Sequence, residues 1–326
     1  MKACYVFPGQ GSQSVGMGKN IYDKYKFARK IFHIGNKVLK SDITDLIFNG
    51  PEETLRKTIN CQPAIFLVNL AYFSVLNKEI PCSLTLGHSI GEYSALVASE
   101  ALSLEDALKL VKIRAESMTK CIPAETVKPG TSHMAAVLTD NLNPSYLINK
   151  EGKKCSAIEL INEVCEECSS YKGIVQIANI NSSSQIIISG NNNAVIKAVE
   201  YLKNKNIKKI VYLKVEGPFH SELMKPAAEE MKKVLEDKGI TINKPKIPYI
   251  ANSTGNSISK PNEIKKSLVE QIYKTVQWKK SLEMAIKMGF KTFVESGSGE
   301  KQYKLLNRDY KSQNKGLDVL VTTKYI

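Results

Sequence analysis

Leu84-Thr-Leu-Gly87-His-Ser89-Ile-Gly91-Glu-Tyr-Ser-Ala-Leu-Val-Ala98 is the stretch on which the fold turns. Leu84 to Leu86 reads as a short apolar strand and Glu92 to Ala98 as a helix of small apolar residues, so Gly87-His-Ser-Ile-Gly91 occupies a sharp strand-to-helix turn. Such a bend forces strained dihedrals on the serine and brings neighbouring backbone close, which calls for glycine at 87 and 91. The helix N-terminus beyond it aims N–H groups and partial positive charge beneath Ser89 Oγ, where an oxyanion would form. Ser89 is therefore the candidate nucleophile, with an incidental turn as the competing reading.

Outward from this turn, Ala3 to Phe7 reads as a buried strand closed by Pro8-Gly9, followed by helical patterning over 21–39, near 54–58 and over 64–76. From Pro123 the pattern changes: strand 134–138, helix 157–169, strands 173–178 and 185–189, helix 194–204. With 208–215 as closing strand this is a βαββαβ unit of ferredoxin-like order, inserted in a larger α/β body. The body resumes with helix 224–237, strand 247–251, helices 263–274 and 280–287, and strand 292–295. Residues 307–316 read as a loose polar tail. The expected division is a body over 1–123 and 217–326, with mostly parallel strands, and an insertion over 124–216.

The chain has 326 residues, 43% of them hydrophobic and 24% charged, which fits a folded globular protein and excludes a wholly disordered one. The apolar stretch Ala64 to Leu76 is interrupted by Asn69 and Ser74, too short for the ~18 residues a spanning helix needs, so no membrane span is expected. The formal charge of +14 points to an anionic partner. Only four of the 46 basic residues are arginine, so the guanidinium fork on which nucleic-acid reading relies is scarce; an acidic protein or a phosphate-bearing small molecule fits better. Seven cysteines, an odd number in a long chain that opens on no apolar leader, speak against a disulfide framework and for a reducing compartment, and with a strand expected from residue 3 no transit peptide is expected within this sequence. Cys165-Glu-Glu-Cys168, with Cys155 nearby, has zinc-pair spacing but no second pair; core thiols are expected, and no metal.

A serine nucleophile needs a base, and there are four histidines. His33 lies on an amphipathic helix and His88 points away from Ser89 within the elbow. His220, in Gly217-Pro-Phe-His-Ser221, ends the module's closing strand on a rigid turn and is preferred, with His133 as the alternative. Phe7-Pro-Gly-Gln-Gly-Ser-Gln13 resembles a phosphate cradle but has neither dinucleotide nor Walker spacing. Either its glycines simply turn the chain, or the N–H near Gln10 joins that of Ile90 in an oxyanion hole. Arg114 stands out where lysine was acceptable elsewhere: it grips a carboxylate with its planar fork, or forms a surface ion pair with Glu116.

Taken in order, Phe7-Pro-Gly-Gln-Gly-Ser-Gln13, Thr58-Ile-Asn-Cys-Gln-Pro-Ala64, Gly87-His-Ser-Ile-Gly-Glu-Tyr-Ser-Ala-Leu96, Ala178-Asn-Ile-Asn181, Gly217-Pro-Phe-His-Ser221 and Gln277-Trp278 resemble the malonyl-CoA:acyl-carrier-protein transacylases of type II fatty acid synthesis. The resemblance implies a hydrolase-like α/β body with a ferredoxin-like insertion. It implies a Ser89–His220 dyad without a carboxylate member, the imidazole oriented by a backbone carbonyl near Gln271. It also implies oxyanion N–H groups from Gln10 and Ile90, Arg114 paired with the malonyl carboxylate, and Gln62, Asn179 and Asn252 lining the site. Phe219-His220 and Ile90 resemble the pattern for malonyl rather than branched extender units. The chain departs from the family at Glu295-Ser-Gly-Ser-Gly299, where Glu-x-Gly-Pro-Gly is usual, in a longer segment from Glu125 to Ser132, and at Glu216.

The expected activity is that of a monomeric ping-pong acyltransferase, which passes malonyl from coenzyme A to acyl carrier protein, the acidic partner suited to a lysine-rich surface. Such an enzyme needs no cofactor beyond its thioester substrate, touches neither nucleic acid nor membrane, and belongs in bacterial cytoplasm or mitochondrial matrix. The rivals are a serine esterase or thioesterase, which sends the acyl group to water, and a catalytically silent lysine-rich binding module.

Overall fold

Ala3–Phe7 forms β1 with every residue buried, as a strand covered on both faces must be. In the computed structural model, which describes residues 2–125, 127–140, 147–237, 239–311 and 316–321 and leaves aside the side chains of 170–172, β1 is the centre of a parallel sheet. β2 (Cys82–Gly87) pairs on one side of it and β8 (Thr292–Glu295) on the other. Outside these lie β7 (Tyr249–Ile250) and β9 (Asp318–Val321), giving the order β7-β2-β1-β8-β9.

The helix expected over 21–39 is two, Lys19–Lys24 and Lys26–Leu39, because Tyr25 between them is extended. The one expected over 64–76 runs the length of Thr58–Glu79; its polar opening, Thr58 to Gln62, hid the first turns. That helix is long and apolar enough to cross a membrane, but 78% of its most apolar window is buried inside the protein, as in a core helix. The expected loose tail is corrected too. Helix Lys301–Leu306 continues into a π-helical turn, Asn307–Lys311, that buries Tyr310, and β9 follows; residues 312–315 lie outside the described set. A single aromatic and a four-residue strand amid polar residues gave too little periodicity to read.

The second sheet is antiparallel, in the order β4-β5-β3-β6: β3 (Met134–Leu138), β4 (Val175–Ser182), β5 (Gln185–Gly190) and β6 (Ile210–Tyr212). Alternate residues Ala135/Val137, Val175/Ile177 and Ile186/Ile188 face one core with helices Ala157–Lys172 and Asn192–Asn204. Ser156 and Glu159 close a capping box at the first of these helices. Cys165 and Cys168 are buried in this core, and among the described residues no group of His, Cys, Asp and Glu is arranged to hold a metal.

The chain forms two compact units. One comprises Met1–Glu116, Met231–Ser267 and Lys280–Ile326 around the parallel sheet; the other, around the antiparallel sheet, comprises Ser117–Glu230 and Leu268–Lys279. The second therefore extends past 124–216. Residues 275 and 276 join it because the outer edge of β4 has unpaired backbone groups: Ile180 N donates to Val276 O (3.0 Å), Val276 N to Ala178 O (2.8 Å), and Thr275 Oγ1 to Ile177 O (2.6 Å).

Candidate active site

β2 ends at Gly87 and helix Gly91–Ala98 begins four residues later. The chain turns between them with Ser89 at φ 52°, a left-handed conformation that costs a residue with a Cβ about 1–3 kcal/mol. A Cβ on Gly87 would lie 2.0 Å from Gly91 O, and one on Gly91 would lie 2.2 Å from Phe7 O, so no side chain fits at either position. His88 N donates to Phe7 O (2.9 Å), tying the elbow to β1. The loop after β1 presses on it from the same side, since a Cβ on Gly9 would come within 2.5 Å of His88 O. Among the described residues no protein group accepts from the N–H of Gln10 or of Ile90, the two donors expected for an oxyanion.

Arg114, on helix Leu104–Lys120, is 1% exposed, which rules out the surface ion pair with Glu116. Its Nη2 donates to Ser89 Oγ (3.2 Å), its Nη1 to Gln62 Oε1 (2.7 Å), and the guanidinium lies 5.8 Å from the centre of the Tyr93 ring. Burial lowers its pKa, while the fields of Tyr93 and Glu92 oppose the shift. A guanidinium nevertheless stays charged in a protein. The unit thus holds a fixed cation within hydrogen-bonding reach of the serine hydroxyl. Tyr93, whose own hydroxyl is driven upward by burial, was not singled out from the sequence; its place four residues after Ser89 on a buried helix is the signal that would have found it.

Asn252 is fully buried, and both ends of its amide hold the elbow: Oδ1 accepts from Ser89 N (2.7 Å) and Nδ2 donates to Gly87 O (2.6 Å). Glu92 is also buried, with Asn252 N donating to its Oε1 (3.0 Å) and the Tyr249 hydroxyl donating to the same oxygen. A carboxylate in a helix of small apolar residues was a legible sign of buried partners.

In the departing loop, Glu295 accepts from Gln302 N (3.1 Å) and Tyr303 N (2.8 Å), and burial pushes its carboxyl up to about 7. Ser296 N donates to Val6 O (3.0 Å), and a Cβ on Gly297 would lie 2.5 Å from Pro8 Cγ, so the altered sequence still packs on the loop after β1.

The second unit carries His220, Gln271 and Asn179. His220 has φ 57° and is 4% exposed. Its Nδ1 lies 2.7 Å from Gln271 O on helix Pro261–Tyr273. A carbonyl only accepts, so Nδ1 carries a proton; in the neutral ring this places the lone pair on Nε2, the tautomer a general base needs. The turn is held by Ser221 Oγ donating to Pro218 O (2.6 Å) and by Gln176, whose Oε1 accepts from Glu222 N (2.9 Å) and whose Nε2 lies 3.5 Å from His220 O. Asn179 is buried on β4 at a bulge in its pairing with β5. The alternative base, His133, is buried with Nδ1 3.2 Å from Gly190 O and 3.4 Å from Glu125 Oε1, a structural pairing inside the smaller sheet. His33 contacts Tyr22 Oη at 3.3 Å.

A serine on a strand-to-helix turn with a buried arginine at its side has clear relatives. The acyl transferase domain family matches residues 4–316. The malonyl CoA-acyl carrier protein transacylase of Bacillus subtilis is 37% identical over 300 residues, 92% of this chain and 87% of that protein. Its namesake from Staphylococcus aureus (strain MRSA252) is 34% identical over 313 residues, 95% of this chain and 94% of that protein. Among solved structures, the acyl-carrier-protein-S-malonyltransferase of Bartonella henselae superposes with a TM-score of 0.84 at 34% identity, covering 99% of this chain and 95% of its own. A malonyl-transacylase solved in complex with a type II polyketide acyl-carrier protein gives 0.84 at 31% identity, with 98% and 95% covered. The chain belongs to the acyl transferase domain family, in the branch that holds the malonyl CoA-acyl carrier protein transacylases.

Proposed function

We propose that this chain carries a malonyl group from coenzyme A to the phosphopantetheine thiol of an acyl carrier protein, supplying extender units for fatty acid synthesis. The observation that carries the reading is the Arg114 guanidinium 3.2 Å from Ser89 Oγ in a buried setting: a nucleophile paired with a fixed cation suits an acyl group that ends in a free carboxylate. His220 Nε2 takes the Ser89 proton as Oγ attacks the malonyl thioester, and the tetrahedral oxyanion rests on the N–H groups of Gln10 and Ile90. The C–S bond breaks as His220 passes that proton to the departing sulfur, coenzyme A leaves as the thiol, and malonyl remains as a serine ester. The carrier thiol then gives its proton to the neutral His220 and attacks the ester, and His220 returns the proton to Ser89 Oγ as the C–O bond breaks. Gln62 keeps Arg114 aimed, Asn179 lines the acyl site, and Gln271 orients the base through its carbonyl. In this reading the reaction uses no cofactor beyond the thioester, residues 124–216 are the bulk of a subdomain inserted in the α/β body, and the protein works in a reducing compartment. The bacterial relatives favour the cytoplasm.

An esterase or thioesterase shares the elbow but sends the acyl group to water. Incubation with malonyl-CoA is expected to yield little free malonate and, once a phosphopantetheinylated carrier is added, malonyl-carrier in stoichiometric amount. Rapid malonate release that the carrier does not divert would establish the hydrolase instead.

Arg114→Ala is expected to lower kcat/KM for malonyl-CoA by roughly 10²-fold or more, because a desolvated carboxylate loses its bidentate partner. Transfer from acetyl-CoA, which has no distal charge, should fall far less. Equal losses for the two substrates would remove Arg114 from carboxylate recognition.

A further inference from the structure

Ser89 is held in its left-handed conformation by contacts that the chemistry does not use. Its own N–H is spent on Asn252 Oδ1 at 2.7 Å, and the carbonyl of Gly87, two residues earlier, is spent on Asn252 Nδ2 at 2.6 Å. The orientation of that amide is forced, since an N–H needs an oxygen and a carbonyl needs a donor. With both polar ends engaged by elbow backbone and no exposed surface, Asn252 has little to offer a substrate. It is fixed in turn: its N–H donates to Glu92 Oε1 at 3.0 Å, and the Tyr249 hydroxyl donates to the same oxygen. Glu92 lies in the first turn of the helix that the elbow launches, and Tyr249 lies on β7, the neighbour of β2 in the sheet. The end of β2, the start of the helix and the end of β7 are thereby braced at one buried point.

We propose that Asn252 is a positioning residue that keeps the Ser89 hydroxyl in its reactive orientation, with Glu92 and Tyr249 as its brace; this rests on the reading of Ser89 as the nucleophile. Within the elbow the amide of Asn252 binds the backbone on both sides of the turn and locks the one residue whose conformation is costly. Loss of the amide frees Ser89 to relax towards ordinary dihedrals, which swings Oγ away from the reacting carbonyl. A displacement of about 1 Å at a reacting atom is enough to cost on the order of 10²-fold in rate.

The test uses the full chain and two reagents. Malonyl-CoA in a single turnover reports formation of the malonyl-serine ester by intact mass. Phenylmethanesulfonyl fluoride reports serine reactivity without malonyl recognition, as Oγ bonds to sulfur, fluoride leaves and the proton passes to the base. Asn252→Ala is expected to slow both reactions by about 10²-fold while the KM for malonyl-CoA stays within about twofold, and Tyr249→Phe to slow both by about threefold. Asn252→Asp, which retains an acceptor for Ser89 N but loses the donor to Gly87 O, should fall between them. Circular dichroism and thermal melting verify folding; if Asn252→Ala does not fold, Asn252→Asp and Tyr249→Phe carry the same comparison. A raised KM with sulfonyl labelling at the wild-type rate would make Asn252 a substrate ligand and overturn the proposal, as would unchanged rates in the folded variants. Absence of any adduct on Ser89 in the wild-type protein, judged against Ser89→Ala, would instead overturn the nucleophile reading itself.

Discussion

Ser89→Ala is expected to abolish the malonyl-enzyme adduct and to lower transfer to the carrier by at least roughly 10⁴-fold, because no other step can substitute for the covalent one. Folding should be nearly untouched. Alanine and serine bear the same penalty at φ 52°, and the hydrogen bonds that pin this residue use its main chain, Ser89 N to Asn252 and Ser89 O from Glu92 N. Arg114, which donates to the hydroxyl, keeps Gln62 in the variant. Malonyl-CoA should therefore still bind, so the variant becomes a trap for the substrate complex. Intact mass after a brief incubation decides the matter: an adduct at the wild-type level in Ser89→Ala would place the nucleophile elsewhere.

His220→Ala is expected to slow both half-reactions by about 10²- to 10⁴-fold, the range for loss of a positioned general base. Three further features separate this from a general loss of structure. The rise of acylation rate with pH, which reports the neutral imidazole of the wild-type protein, should vanish. KM for malonyl-CoA should change little. The double variant with Ser89→Ala should be no slower than Ser89→Ala alone, the outcome that the proposed joint action of the two side chains requires. A pH profile in His220→Ala with the wild-type shape would assign the base to another group. The main-chain carbonyl of Gln271 fixes the tautomer of this histidine, so the orienting contact survives any side-chain change at 271 that leaves the helix intact.

Much of this was legible in the sequence for a definite reason. β1 and β2 are short apolar runs stopped by glycine, and the glycines at 87 and 91 record backbone approaches of about 2 Å that no other residue tolerates. The βαββαβ unit showed because its strands alternate on one buried face. Apart from the resemblance, Arg114 drew notice through the scarcity of arginine; its reach to Ser89 across 25 positions is a property of the packed helix that no spacing rule predicts. Asn252 was matched to the site by resemblance, yet what it touches, the elbow's own backbone, is visible only in three dimensions. Gln176 and Tyr93 went unread because each sits in an ordinary apolar pattern, and the polar tip that matters is a minor part of the side chain. β9 went unread because its apolar run, Val319 to Val321, is only three residues long, and pairing to β8 completes the strand.

The two hydrogen bonds at Val276 bear on the modular exchange of acyltransferases. A graft cut at 124 and 216 would take β4 without the distant segment that caps its outer margin, and would leave behind His220 together with the carbonyl that orients it. The recipient would display a bare strand margin, a template for self-association. A donor fragment that keeps its native neighbours must therefore be assembled from two stretches of chain, Ser117 to Glu230 and Leu268 to Lys279.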